Sequence, residues 1–336
     1  MLVDLHVHLR GTLVRETVLS LAQRNDVSIP KAILTNPRYG WHDFATFLKA
    51  YDLITSVVKS ATDLEVITTS YLKRCAELGG RYVEFMLSPP DLARTGVPFN
   101  DQLKALSSAA DRAAEEWGVH SRLIATAVRH LGPAAAVEAA RMATSKQSNL
   151  LVGFGLTGDE HQYEVGEFAE AFRIARGEGL RATAHAGEHR PADTIIQAIE
   201  TLGLDRVGHG IRAVESQDVM RQLAEARMPL EVCLGSNLAL GLCRSVAKHP
   251  VVKLADAGCT IVLGTDDPGF FDTDLAKEHA LAIQADPRLR IDTVSANAIE
   301  AAFCDQHTKA ALAKILEKSL RSGSYFPRDT SLHNLI

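Results

Sequence analysis

No run of about 18 consecutive apolar residues, the length a membrane-spanning helix needs, occurs anywhere in this 336-residue chain. A membrane protein is therefore not expected. The first twenty residues carry charge and histidine throughout, with no apolar centre ahead of a small-residue cleavage site, so no secretory leader is expected and the cytoplasm is the default compartment. Cysteine is sparse: five residues, Cys75, Cys233, Cys243, Cys259 and Cys304, odd in number and widely spaced. That excludes a disulfide framework and a close-paired cysteine zinc cluster, and predicts buried free thiols. A basic excess is also lacking. With 36 Lys and Arg against 41 Asp and Glu, the formal net charge is −5, and no stretch interleaves cations with aromatics. Nucleic acid is not an expected partner. Gly/Ser linkers, low-complexity tracts and short repeats are absent as well, so residues 1–336 are expected to form a single domain.

What the chain does have is 46% hydrophobic residues, enough for a sizeable core, and short β-type runs recurring between helical patterns. The runs are LVDLHVHL (2–9), RYVEFMLS (81–88), SRLIATAV (121–128), NLLVGFGL (149–156), LRATAHAG (180–187), DRVGHG (205–210), PLEVCLG (229–235) and TIVLGTDD (260–267). Between them lie helix-period segments such as Phe168, Phe172 and Ala175, several introduced by a proline (Pro133, Pro191) suited to a first helical turn. Strand and helix alternating eight times is the pattern of a parallel (β/α)8 TIM barrel. The first interval is much the longest and reads as extra helices inserted after strand 1, about residues 12–78, with Phe44, Phe47, Leu48 and Tyr51 at helical spacing. A helical lid is expected there.

Active sites of such barrels are built at the carboxyl ends of the strands, and here those ends collect histidines and acids. Strand 1 closes with His6 and His8, which at i and i+2 face the same way. Strand 5 runs into His185-Ala-Gly-Glu188, strand 6 into His209, and strand 8 into Asp266-Asp267. An isolated HxH pair means little; the whole set at one barrel mouth is poorly explained by chance. Three imidazoles and a carboxylate suit one divalent ion, with zinc favoured by the nitrogen-rich set, and such an ion lowers the pKa of a bound water toward neutrality. Glu188 sits three residues past a candidate ligand, placed either for acid/base work or as a first-turn acid on a helix dipole. Asp266 and Asp267 could instead cap a helix, with Pro268 just behind them. Neighbouring residues of a strand face opposite ways, so both can serve one site only where the strand ends and bends.

Taken in order and spacing, "LHVHLRG", "GLTGDE", "HAGE", "RVGHGIR" and "LGTDDP" resemble the motifs of the adenosine/adenine deaminase branch of the amidohydrolase superfamily. The likeness spans roughly residues 2–310 and includes the segment from Trp41 to Ser88 and the "EVC" strand at 231–233. The resemblance implies one catalytic Zn2+ per chain held by His6, His8, His185 and Asp266, with His209 beside the activated water as base and electrostatic partner. It implies that Glu188 gives a proton to purine N1, that Asp267 bonds N7 and that the backbone N–H of Gly158 bonds N3. His8, Arg10, Phe44 and Phe47 would complete the contacts to a small-molecule purine.

The implied reaction is hydrolytic deamination of a 6-aminopurine nucleoside or base. Water adds at C6 while N1 takes up a proton, and ammonia leaves. One position departs from the pattern. Where the resembling enzymes carry an acid after "HVHL", which in adenosine deaminases meets the ribose 5′ hydroxyl, this chain has Arg10. Arg10 either pairs with a nearby acid or meets an anionic group near the 5′ position. The substrate therefore stays open among adenosine, adenine and 5′-modified or N6-substituted derivatives, of the aminodeoxyfutalosine or N6-substituted AMP kind. An amide- or ester-hydrolysing metal barrel and an inactive binding barrel are the other readings. The oligomeric state is left open.

Overall fold

A computed structural model describes residues 1–145 and 148–322. Eight parallel strands, β1 (Leu2–His8), β2 (Gly80–Leu87), β3 (His120–Val128), β4 (Leu151–Thr157), β5 (Arg181–Ala186), β6 (Arg206–His209), β7 (Pro229–Val232) and β8 (Thr260–Leu263), pair in chain order. The sheet closes through a parallel bridge between Val7 and Asp266, where His8 N–H donates to Asp266 O (2.9 Å) and Asp266 N–H donates to His6 O (2.8 Å). The fold is a (β/α)8 barrel. Its strands are buried on both faces because the interior is filled with side chains and the exterior is covered by helices, so they read as mainly apolar runs, broken by buried polar residues such as Asp4, Glu84, Arg206 and Glu231.

All eight expected strands are present, though several end earlier than the apolar runs imply. Strand β8 stops at Leu263 and β7 at Val232, and Leu234 already opens a short helix (Leu234–Ala239). After β8 the chain stays in register as far as Asp266, which is still bridged to Val7 and whose φ of +60° then turns it out of the extended conformation. Pro133 stands in the first turn of the helix Gly132–Thr144, as expected. Pro191 does not; the helix after β5 begins at Asp193, so this proline belongs to the turn before it.

Between β1 and β2 lie four helices: α1 (Arg15–Arg24), α2 (Lys31–Thr35), α3 (Phe44–Thr55) and α4 (Ala61–Glu77). Two start with reciprocal caps. At α3, Asp43 Oδ1 accepts from Thr46 N–H (2.7 Å) and Thr46 Oγ1 accepts from Asp43 N–H (3.0 Å). At α4, Ser60 and Asp63 do the same. Phe47, Ala50 and Ile54 of α3 are buried, so this helix packs an apolar stripe onto the barrel end that carries the histidines. After β2 comes α5 (Pro89–Arg94).

Cys75, Cys233, Cys259 and Cys304 are buried free thiols, whereas Cys243 is only half-buried. No helix among the described residues is long and apolar enough to cross a membrane. Of the residues expected to form the single domain, 146–147 and 323–336 lie outside those described.

Candidate active site

The histidines and acids that close different strands come together at the carboxyl end of the barrel. Ring centroids of His6 lie 5.4 Å from His8, 4.8 Å from His185 and 4.9 Å from His209, and His185 and His209 are 4.6 Å apart. Asp266 Oδ1 lies 3.2 Å from His8 Nε2 and 3.8 Å from His6 Nε2. Two of these residues, His209 (φ +59°) and Asp266 (φ +60°), sit in the left-handed region that side chains other than glycine seldom adopt. That conformation re-aims each side chain as its strand ends, which is how adjacent Asp266 and Asp267 both reach one site.

His6 Nε2, His185 Nε2 and both ring nitrogens of His209 are buried with no hydrogen-bond partner. Leaving such groups unsatisfied in a core is costly unless something binds them. Donor atoms of His6, His8 and His185 fall within 4.8 Å of one another, as do those of His6, His209 and Asp266. These residues fit a divalent metal ion.

The tautomer of His6 is set from behind. Its Nδ1 lies 2.7 Å from Glu231 Oε2. Burial works against ionisation of Glu231, but Arg206, whose Nε is 2.5 Å from Oε1, and His6 outweigh it and hold its pKa near 2. An ionised Glu231 requires the proton on His6 Nδ1, which leaves the Nε2 lone pair facing the cluster. Arg206 is in turn paired with Glu84 (2.7 Å), so one guanidinium bridges two buried carboxylates beneath the histidines.

Glu188 is buried, its Oε2 lying 3.5 Å from His209 Nε2 and 3.6 Å from His185 Nδ1. Burial first, then the charges of Asp266, Glu160 and Asp267, push its pKa well above the usual carboxylate range. It caps no helix. The turn that carries it is gripped by Glu160, whose carboxylate accepts from the backbone N–H of Glu188 (3.3 Å), His189 (2.8 Å) and Arg190 (2.7 Å). Gly187 makes the bend with φ +70°, where a Cβ would stand 2.4 Å from Ile195 Cδ1.

Asp267 is likewise buried, and desolvation with help from Asp266 raises its pKa to about 8 against the opposing pull of His8. Gly11 leaves it room: a Cβ there would collide with Asp267 Oδ1 at 1.8 Å. For His8, burial lowers the pKa but the charges of Asp267 and Asp266 prevail and bring it to about 8. His209, dominated by burial, is pushed down to about 3.

Above these groups opens a cavity of about 410 Å³. Its walls include His8, Gly158, Glu188 and Asp267, with Phe44 and Phe47 from α3. Arg10 also lines it, but bound to the Asp91 carboxylate of α5 and lying 5.8 Å from the Tyr51 ring centroid. Every site residue expected from sequence is therefore at this one end of the barrel. Sequence reasoning assigned no role to Asp91, Glu160, Glu231 or Arg206. Glu160, Arg206 and Glu231 stood inside motifs already singled out; Asp91 carried no signal at all.

A (β/α)8 barrel with this histidine and carboxylate constellation at its carboxyl end defines an amidohydrolase-type enzyme. The chain matches the adenosine deaminase family profile over residues 2–319 and belongs to that family, whose members are hydrolytic deaminases acting on C–N bonds. It is 39% identical to an adenine deaminase of Rhizobium leguminosarum bv. trifolii over 312 residues, covering 92% of this chain and 97% of that protein. Among solved structures, an adenine deaminase from Arthrobacter aurescens superposes with a TM-score of 0.89 at 28% identity, covering 95% of this chain and 99% of that one. An amidohydrolase from Burkholderia ambifaria with bound zinc gives 0.85 at 25% identity, covering 96% and 92%. The Arabidopsis N6-mAMP deaminase gives 0.83 at 25%, covering 94% and 97%.

Proposed function

We propose that this chain hydrolytically removes the 6-amino group of an uncharged 6-aminopurine, with adenine as the leading substrate. The observation that carries the reading is a match of donors to acceptors. N1, N3 and N7 of an adenine ring all present lone pairs, so each partner must donate. Glu188 and Asp267, whose pKa values burial and neighbouring acids raise, would supply donors for N1 and N7, and the backbone N–H of Gly158 would supply one for N3. The ring would lie between these groups and the α3 residues Phe44 and Phe47, which act as the lid.

His6, His8, His185 and Asp266 would hold one divalent ion, zinc being the best fit to their nitrogen-rich set. When bound, that ion supplies the Lewis acidity that activates water near neutral pH. The side chains perform the proton chemistry. Glu188 protonates N1, which lets the aromatic ring accept an oxygen at C6. His209, neutral in its buried setting, takes one proton from the attacking water and delivers it to the departing amine, and the water's second proton, left on the C6 oxygen, returns to the Glu188 carboxylate. Asp267 and the Gly158 N–H orient the ring so that C6 faces the histidines.

Arg10 distinguishes between substrates. Its guanidinium is already neutralised by Asp91, and Asp52 adds a further carboxylate to the cavity wall, so a 5′-phosphate would meet an engaged cation. This favours a neutral base over a nucleotide, in keeping with the activity named for the Rhizobium and Arthrobacter proteins. The test is ammonia release from adenine, adenosine, 5′-modified adenosines and AMP-type nucleotides. Adenine is expected to give the highest kcat/KM, and turnover of none of them would overturn the reading.

A further inference from the structure

We infer that Arg129 is a positioning residue that locks the exit of β5, fixing the side chains of His185 and Glu188 in one mutual geometry. The inference rests on the reading of His185 as a metal ligand and Glu188 as the N1 acid. Both stand on the single turn that leaves β5, three residues apart. Whatever sets the shape of that turn therefore sets where the proton donor lies relative to the ion. On the β4 side the ladder does not reach it: pairing of β4 with β5 ends at Ala184, opposite Leu156, one residue short of His185. Beyond that point the polar backbone on this side needs partners from side chains.

Arg129 provides one. It opens the short 3-10 turn Arg129–Leu131 directly after β3 and reaches past β4, the strand between, to donate from Nη2 to His185 O at 2.7 Å. The residue is 4% exposed, its Nε is buried without a hydrogen-bond partner, and its guanidinium lies 5.8 Å from the Phe168 ring centroid. Among the described residues it forms no ion pair, so the placement is costly in itself. The carboxylate that acts on it most strongly is Glu160, itself 1% exposed, which accepts from the backbone N–H groups of Glu188, His189 and Arg190. Arg129 and Glu160 line one small cavity behind the turn. The cation thus holds the carbonyl at the start of the turn and the anion holds the N–H groups at its end, while Arg212 N–H fills Gly187 O between them at 2.9 Å. Charge-assisted bonds of opposite sense at the two ends fix a turn more firmly than neutral ones. Arg129 does not line the cavity that takes the purine, so it acts through His185 and the turn.

The test compares Arg129→Met, which keeps an apolar stem and removes the charge and the donor, with Arg129→Lys, which keeps the charge on a single-point donor. Each zinc-loaded protein is followed for loss of zinc to a chelator, for kcat and KM on adenine, and for urea unfolding. Arg129→Met should release zinc roughly tenfold to a hundredfold faster and lose a similar factor in kcat, with KM within about threefold of wild type. Arg129→Lys should recover part of both losses and remain at least about threefold below wild type. An arginine that only stabilises the fold would lower the urea midpoint and leave both readouts of the folded protein unmoved. Zinc retention and kcat within about twofold of wild type in either folded variant, whatever its urea midpoint, overturn the role. The parallel His185→Ala variant separates this from the underlying reading: full zinc retention and turnover there remove the ligand assignment itself, whatever the Arg129 variants do.

Discussion

At the scale of single residues, Arg10 shows how a charge that reads one way in sequence behaves another way in the fold. Alone at the end of β1 it is as good a phosphate ligand as it is an ion-pair partner; the Asp91 carboxylate, 81 residues on, decides between them. Asp91→Asn should release Arg10. The expected outcome is a rise of about one power of ten in kcat/KM for AMP-type nucleotides relative to adenine, the size of a charge-assisted hydrogen bond. Steady-state kinetics on both substrates check it, and an unchanged ratio would mean that Arg10 does not face the substrate. The ligand and acid candidates were legible because each closes an apolar run, a position that in a barrel has one meaning. Asp91 was not, because nothing local marks a helix residue as the partner of a strand end.

At the scale of elements, the strand cores are written plainly and their ends are not. Parallel strands buried on both faces appear as mainly apolar runs, and all eight are legible despite buried polar interruptions such as Asp4 and Glu84. Their exits are set by backbone that side-chain type does not announce: β6 ends on the left-handed His209, and the left-handed Asp266 turns the chain three residues after β8. The turn after β5 is built on the same principle, with Gly187 providing the bend that lifts Glu188 to the cavity. Gly187→Ala places a Cβ against Ile195 and forces a side chain into positive φ, a cost of roughly 1–3 kcal/mol. The variant should unfold at lower denaturant concentration and lose kcat as Glu188 is displaced. Wild-type stability together with wild-type turnover would contradict this account of the turn.

For the whole molecule, buried neutral histidines make the fold acid-sensitive. His249 is 2% exposed; its Nε2 lies 3.2 Å from Asn237 Oδ1 and its Nδ1 accepts from Val251 N–H at 3.1 Å, a pattern only the neutral ring can satisfy. Burial lowers its pKa from 6.5 to about 4. Between those values the unfolded chain binds the proton and the folded one does not. The contribution is therefore complete above about pH 6.5 and declines as pH falls toward 4, by about 3 kcal/mol in all. His249→Gln should flatten the acid limb of stability against pH, measured by urea unfolding from pH 7 to 4.5; a limb of unchanged slope would place the acid sensitivity elsewhere.

The central claim is that the barrel mouth is a metal-dependent purine deaminase in which Glu188 is the N1 acid. The most direct measurement follows metal content and ammonia release from adenine side by side, for the wild-type protein and for Glu188→Gln. The account predicts about one divalent ion per chain in both, and stoichiometric ammonia and hypoxanthine from the wild type. It also predicts that the variant's kcat is lowered by roughly 10²- to 10⁴-fold. A metal-free wild type with full activity, or a variant that turns over normally, would contradict it.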